Sequence, residues 1–582
     1  MKSFNELKRL LKSDRFGMTP IKVALLGDTA TQFLAQAIEA TGLQYGFDIN
    51  LLEADYNQVE QQFIDKNSEL YLFDPQFVII FQSTHKLLER FNKMMPQERN
   101  RLADERTQFI EQICLNPHME GKKILCLNYP EIDDNVFGNY ANKIKESFIY
   151  QNRKLNFQLM NLAETYPALS IVDIASLQSL FGRQWLFAPN IYVSTDMVIS
   201  IDALPYVASR IVDVISSNKG KFHKCIILDL DNTLWGGVVG DDGIEGIQLG
   251  HGLGIGKVFS EFQMWVKKLA QRGIIVCIVS KNDEKTAKYA FEKHPDMVLK
   301  MDDIAVFMAN WENKADNIRA IQSILNIGFD SMVFIDDNPF EREMVKNSIP
   351  QITVPDMPED PAEYLEFLYS QNLFETASFS QGDQKRTEMY KNEAKRVLLA
   401  KNYTNEEEFL QSLDMKSRVD GFNKFNTPRV AQLSQRSNQF NLRTIRYGED
   451  DIKRLAEDEN TIDLCFTLQD RLGDNGLIAV VIMKKTDDQT LFIDSWIMSC
   501  RVLKRTMEQF IINTIVQKAN EKGFKTIISE YIPTPKNHMV ENLYQQLGFT
   551  PVTDTDSQNQ RFSLSTSNYK PRKTFITPIC EK

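Results

Sequence analysis

Residues 224–235, KCIILDLDNTLW, constrain this chain more than any other stretch. Cys225 to Leu228 is an unbroken apolar run, the pattern of a strand covered on both faces and therefore of a parallel sheet in an α/β layer. Two carboxylates two residues apart, Asp229 and Asp231, stand where it ends. Alternate residues of an extended chain face the same way, so both side chains leave in one direction. At the carboxyl edge of an open parallel sheet that direction is a ligand crevice rather than the core. An isolated DxD is ordinary turn punctuation, so the pair gains meaning only from residues further along the chain.

Three downstream stretches turn the pair into a pattern. Residues 274–283 (IIVCIVSKND) read as a second buried strand with Ser280 at its end, and residues 311–318 (WENKADNI) bring Lys314 near a helix start. Residues 332–343 (MVFIDDNPFERE) read as a third apolar strand ending in Asp336 and Asp337. A carboxylate can attack phosphorus and split one hard displacement into two easier ones, which is the part for Asp229. A second carboxyl group protonates the leaving oxygen and then activates water, which is the part for Asp231. A carboxylate nearing a phosphate dianion is repelled unless a hard cation offsets the charge. Mg²⁺ is therefore expected on Asp229, the Asp231 carbonyl and Asp336, with Asp337 adjacent. Ser280 and Lys314 would hold the phosphoryl oxygens.

These four stretches, in this order, resemble motifs I to IV of the haloacid dehalogenase (HAD) superfamily, in the DxDxT form of its phosphatases. The WGG after DLDNTL, the SKND and the DDNPFERE are similar to the FkbH-like branch, subclass IIIC, over residues 221–369. The resemblance implies a Rossmannoid parallel sheet, an aspartyl-phosphate route, Mg²⁺ as cofactor, and a phosphomonoester or acyl phosphate as substrate. It adds Thr233 and Lys281 to the phosphate-binding set. Only 48 residues separate Asp231 from Ser280 and only 33 separate Ser280 from Lys314, too few for a folded cap domain. A bulky partner or a neighbouring domain would then have to exclude water from the site. The Gly-rich residues 236–256 read as a hairpin flap, with phosphate cradling as the alternative.

At 582 residues the chain exceeds a single core. With 43% hydrophobic and 25% charged residues it has the composition of a soluble globular protein, and its net charge of −11 argues against nucleic acid or an anionic membrane as main partner. The seven cysteines (114, 126, 225, 277, 465, 500 and 580) show no CxxC spacing and read as buried thiols in a reducing compartment. No apolar run approaches the ~18 residues of a membrane span, and residues 1–14 are charged and amphipathic, so a cytoplasmic location is expected.

Residues 1–218 alternate strand candidates (21–26, 47–54, 77–81, 123–127 and 169–173) with amphipathic segments such as 32–41, the pattern of a doubly wound α/β layer. This part is similar to the SGNH-hydrolase-like domain of some FkbH-like proteins, in which a GDS serine and a late DxxH do the chemistry. Here Thr29 replaces the serine and no histidine follows Asp202, while His85 and Asn128 lie in loops without triad spacing. Thr29 then lacks a base, and the domain reads as a non-catalytic binding platform.

Residues 371–403 read as a helical linker, and a Thr404–Glu407 capping box is expected to open a helix over 405–413. Beyond it, strands over 477–483 and 491–498, a long helix over 501–523, a strand over 526–531 and a helix over 539–548 resemble the GNAT acyltransferase fold. In that fold a glycine-containing loop meets the cofactor pyrophosphate. Residues 501–506, RVLKRT, lack both glycines, but Arg501, Lys504 and Arg505 make a candidate acyl or pantetheine-binding patch. The expected architecture is a three-domain α/β chain: SGNH-like (1–218), HAD-like without a cap (219–370) and GNAT-like (404–582). Its leading function is Mg²⁺-dependent phosphohydrolysis or phosphotransfer. The alternative is loading of an acyl group from an acyl phosphate onto an acyl carrier protein.

Overall fold

Long apolar runs set the parallel sheets of this protein. The computed structural model describes residues 1–582 except 56, 380–385, 401, 438, 535, 553–559 and 580–582, with the backbone only at 398, 436 and 500. Cys580, the Cys500 side chain and parts of the expected helical linker, residues 380–385 and 401, lie outside the described residues. The chain divides into two compact units, Met1–Lys219 and Gly220–Lys582.

In the first unit five strands, β1 (Thr19–Gly27), β2 (Phe47–Glu53), β3 (Phe77–Phe81), β4 (Lys123–Leu127) and β5 (Leu169–Val172), form a wholly parallel sheet in the order β2-β1-β3-β4-β5. Every expected strand is present within two residues at either end. The order reverses direction between β1 and β3, so right-handed crossovers leave for opposite faces there and a crevice opens at the carboxyl ends of those two strands. Helix Gln32–Gln44 packs on Leu204–Asn218, and Leu102–Cys114 packs on Phe148–Thr165.

The second unit holds two sheets. The first is parallel, in the order β8-β7-β6-β9, with β6 (Cys225–Leu228), β7 (Ile275–Ser280), β8 (Ile304–Ala309) and β9 (Met332–Ile335). Successive residues of β6 serve two different cores: Ile226 and Leu228 pack with Phe262 and Val266, whereas Cys225 and Ile227 pack with Ile318 and Ile321. Register aligns Leu228 with Ile278 on one side and Ile335 on the other, so Asp229 and Asp336 finish level with each other and Ser280 lies one residue further along. The flap expected as a hairpin contains the helical segment Val239–Gly246, broken at Gly243 (φ 69°), and closes through a bridge between Gly236 and Gln248.

The remaining nine strands form one mixed sheet: β10 (Met415–Ser417), β11 (Val419–Asp420), β12 (Thr461–Asp470), β13 (Gly473–Lys485), β14 (Thr490–Met498), β15 (Thr526–Tyr531), β16 (Thr550–Val552), β17 (Gln560–Ser565) and β18 (Ile576–Pro578). β14 and β15 pair in parallel, which demands a crossover, and helix Met507–Glu521 supplies it. That helix begins later than the sequence suggested, because Lys504 and Thr506 adopt left-handed backbone (φ 61° and 59°). The expected helix over 539–548 is reduced to a 3₁₀ turn, His538–Val540, and one short helix, Leu543–Gln546. The helix Glu406–Ser412 is capped by Asn405, whose side chain accepts from the Glu407 N–H, rather than by Thr404.

The parallel pairing of β14 with β15 stops at Ile493 opposite Ser529. Past that point the strands separate, and residues 440–442 run between them. Met498 N–H donates to Phe440 O (3.1 Å), Leu442 N–H to Trp496 O (3.4 Å) and Ile532 N–H to Leu442 O (2.9 Å).

Candidate active site

Three strand ends meet at the carboxyl edge of the four-stranded sheet. Asp229 follows β6, and its N–H donates to Ile335 O (3.0 Å) of β9, whose own continuation is Asp336 and Asp337. One carboxylate oxygen from each of Asp229, Asp336 and Asp337 lies within 4.8 Å of the others. Lys314, at the first turn of helix Lys314–Leu325, enters from beyond β8. Its Nζ stands 2.9 Å from Asp229 Oδ1 and 2.6 Å from Asp336 Oδ2. All of these groups except Asp337 are buried.

Such a cluster is electrostatically poised. Burial, and then the neighbouring charge of Asp229, push the Asp336 carboxyl up to about 7, while Asp337 rises for the same two reasons. Burial alone would lower Lys314, but the Asp229 and Asp336 charges outweigh it and raise its pKa. Three carboxylates around one ammonium leave negative charge to be offset. Asp229 Oδ1, although buried and close to Nζ, accepts no well-aligned hydrogen bond. An all-oxygen set with that surplus suits a hard divalent cation.

Asp231 is held apart from that cluster. Its Oδ1 accepts from Trp235 Nε1 (2.9 Å) and from the Val239 N–H (3.0 Å), and its Oδ2 from Asn282 Nδ2 (2.7 Å). Burial raises its pKa against the pull of those donors, with the Asp229 charge adding to the rise. A carboxyl fixed at three points and biased toward its protonated form is suited to give up a proton on demand. Its carboxyl is not among the three clustered acids, which leaves its main-chain carbonyl as what it can offer an ion.

The other expected site residues fall in several places. Ser280 is buried at the end of β7, beside β6. The Thr233 hydroxyl donates to Asp337 Oδ1 (3.3 Å) and accepts from the Asp337 N–H (3.1 Å), so it positions an acid of the cluster. Lys281 Nζ reaches Glu341 Oε1 (2.6 Å), engaging the helix after β9. Three functional side chains had no role in the sequence reading: Trp235 and Asn282 on Asp231, and Arg342, whose Nη1 donates to the carbonyls of Asp336 (2.9 Å) and Asp337 (2.5 Å). Each belongs to a motif that the sequence displays, at i+4 from Asp231 for Trp235 and at i+6 from Asp336 for Arg342.

Elsewhere the chain does not assemble a second reactive centre from the expected residues. Thr29 Oγ1 is buried without a hydrogen-bond partner. The His85 ring lies 4.8 Å from both Phe187 and Tyr192, and burial followed by the Arg183 charge lowers its pKa to about 4. Asn128 is used locally, donating to Asp173 and accepting from the Ile174 and Ala175 N–H groups. In the C-terminal sheet Arg501 and Arg505 are buried rather than presented to solvent, and only Lys504 is exposed. The Arg501 guanidinium stacks 5.7 Å from the Tyr390 ring, and Arg505 pairs with Glu393 and, at 3.4 Å, with Asp470.

The chain is similar to known proteins. A crystal structure of the N-terminal part of protein BF1531 from Bacteroides fragilis, containing a phosphatase domain complexed with Mg, is 56% identical to this chain. It covers 65% of this chain and all of that one, with a TM-score of 0.64. The family described as FkbH, N-terminal domain, matches residues 22–216. Far looser are the ribosomal-protein-S18-alanine N-acetyltransferase of Escherichia coli (15% identity, 26% of this chain and 96% of that chain, TM-score 0.21) and the spermidine N-acetyltransferase of Vibrio cholerae in complex with CoA and spermine (13%, 26%, 96% and 0.22). Overlaps that loose carry no functional argument. No curated protein matches this chain in sequence.

Proposed function

This chain belongs to the family of the Bacteroides fragilis protein BF1531, and from that premise we propose that it is an Mg²⁺-dependent phosphatase of the HAD type, acting on a phosphomonoester or acyl phosphate. One observation carries the reading: Asp229, Asp336 and Asp337 present oxygens within 4.8 Å of one another, Lys314 bridges two of them, and Asp231 is held separately by three donors.

Asp229 acts as nucleophile. Its carboxylate oxygen bonds to phosphorus, the bond from phosphorus to the leaving oxygen breaks, and Asp231 gives that oxygen its proton. Asp231, now a carboxylate, takes a proton from water. The water oxygen then displaces Asp229 from phosphorus, which frees inorganic phosphate and restores both acids. Lys314 and Ser280 hold the equatorial oxygens where charge collects. Asp229, Asp336, Asp337 and the Asp231 carbonyl are the groups that would hold Mg²⁺, which when bound offsets the charge of the incoming phosphate. The acyl-transfer alternative is not favoured by any specific observation, since Arg501 and Arg505 are committed to partners inside the protein.

Phosphate release from a panel of phosphomonoesters and acyl phosphates tests the reading. Activity is expected with at least one of them, to vanish in EDTA and to return with Mg²⁺. In Asp336→Ala added Mg²⁺ should recover less than ~1% of the parent rate, because the ion loses a ligand and Lys314 half of its counter-charge. Full activity in EDTA, or normal Mg²⁺ dependence in Asp336→Ala, would overturn it.

A further inference from the structure

The first unit holds a cavity of about 370 Å³ that the phosphatase reading leaves without a role. It sits where the strand order reverses. Asp28 reaches it from the end of β1, Gln82 and Ser83 from the end of β3, and Tyr129 from beyond β4, and such a crevice in an open parallel sheet is a natural ligand site.

The floor is polar, with Ser83 and Tyr129 buried and Asp28 and Gln82 half-buried. Both carboxylate oxygens of Asp28 turn to Ser83, whose N–H donates to each (2.8 and 3.0 Å), although a carboxylate offers about four acceptor sites. Gln82 Oε1 accepts from Arg106 Nη2 (2.9 Å) and from the Tyr129 hydroxyl (3.1 Å), which leaves its NH₂ end to donate. Burial pushes Asp28 up to about 7 against the pull of Ser83, Lys86 and Arg106.

The mouth is cationic. Lys86, Arg90 and Lys93 recur at i, i+4 and i+7 on helix Thr84–Lys93 and so share one face, while Arg106 lines the interior. These four cations lean on two glutamates. Glu60 takes Arg90 (3.3 Å) and Arg106 (2.7 Å), and Glu89 takes Lys86 (3.5 Å) and Lys93 (2.7 Å). Lys86 also reaches Asp196 (3.3 Å), so these four cations face three acids and the excess positive charge falls mainly on Arg90 and Arg106, which share Glu60.

A cationic mouth above a floor with spare acceptor capacity on Asp28 and a spare donor on Gln82 selects a molecule with an anion at one end and hydroxyls at the other. We propose that this cavity binds a small hydroxylated anion, its carboxylate or phosphate at Arg90 and Lys93 and a hydroxyl donating to Asp28. Nothing in the cavity provides turnover: no hydrogen bond reaches Thr29 Oγ1 among the described residues, and aromatic rings flank His85. The cavity therefore holds its ligand unchanged. This inference does not depend on the phosphatase reading.

Calorimetric titration of the full chain in EDTA tests it, with gluconate and glycerol 2-phosphate as anionic polyols and sorbitol as the neutral one. At least one anionic probe should bind saturably, one molecule per chain, and sorbitol should not bind. Charge reversal in Arg90→Glu, and separately in Lys93→Glu, should weaken that binding at least about tenfold. Both side chains face solvent on one helix, so both variants should melt with the parent and hydrolyse p-nitrophenyl phosphate at its rate in Mg²⁺. Binding of neither anionic probe to the parent, binding of sorbitol as tight as theirs, or parental affinity in both variants would overturn the proposal. Loss of phosphatase activity would leave these titrations unaffected.

Discussion

Asp229→Asn is expected to lower the rate of phosphate release by at least about 10⁴-fold, the scale seen when a covalent nucleophile is removed. An amide oxygen cannot attack phosphorus effectively, and no other carboxylate can take its place, since Asp231 is tied to Trp235, Val239 and Asn282. The fold should not suffer. In metal-free protein three acids crowd one lysine, so deleting one negative charge relieves repulsion, and the variant should melt at or above the parent in EDTA. The order should reverse with Mg²⁺ present. An ion at a hundredfold excess over its dissociation constant adds about 2.7 kcal/mol to the parent, and much of that should be lost in the variant. Turnover of p-nitrophenyl phosphate together with melting in EDTA and in Mg²⁺ separates a chemical from a structural role. A variant retaining more than a few per cent of parental turnover would remove Asp229 from the mechanism.

The largest stability loss is expected from Asp470→Ala. The Asp470 side chain is fully buried at the end of β12 and receives both Nε (2.8 Å) and Nη2 (2.9 Å) of Arg396, with Arg505 Nη1 at 3.4 Å and the Leu472 N–H at 2.9 Å. Truncation leaves two buried guanidinium groups sharing Glu393 alone, a deficit of the kind that costs about 3–5 kcal/mol. Replacing the pair by apolar groups in Asp470→Leu/Arg396→Met should recover part of it, because the loss comes from an uncompensated charge rather than from missing volume. Chemical denaturation followed by tryptophan fluorescence, compared with and without a Trp496→Phe background so that the C-terminal sheet's share is isolated, checks both. A loss below ~1 kcal/mol in the single variant would show that the cluster admits water.

The site was legible because its geometry is written locally. Each of β6, β7 and β9 is an apolar run ending in a polar residue, and strands buried on both faces place such endings along one edge. β8 obeys the same packing rule, yet its run IAVFMA is followed by Asn310 rather than by a charged or hydroxyl residue, a weaker mark of a site. β12, TIDLCFTLQD, mixes polar and apolar positions because it lies inside an antiparallel sheet, and periodicity alone does not separate it from loop. The reach from Asn282 to Asp231 spans 51 residues and that from Arg505 to Glu393 spans 112, so neither leaves a local trace. Arg505 reads as an exposed cation because every neighbour in sequence supports that, whereas its partner on helix Arg386–Ala400 is supplied only by folding. The start of helix Met507–Glu521 escapes the sequence for a related reason: Lys504 and Thr506 are adequate helix formers, and tertiary packing holds them in left-handed backbone regardless.

Residues 440–442 act as an internal wedge. Any extended guest seeking to add itself alongside β14 or β15 where they diverge finds the seam already stitched by the chain itself. It must first unpick three main-chain hydrogen bonds, at about 0.5–1.5 kcal/mol each, and expose the Phe440 and Leu442 side chains to water. The C-terminal sheet is in that sense sealed against strand-like visitors, and its accessible chemistry is confined to its rims.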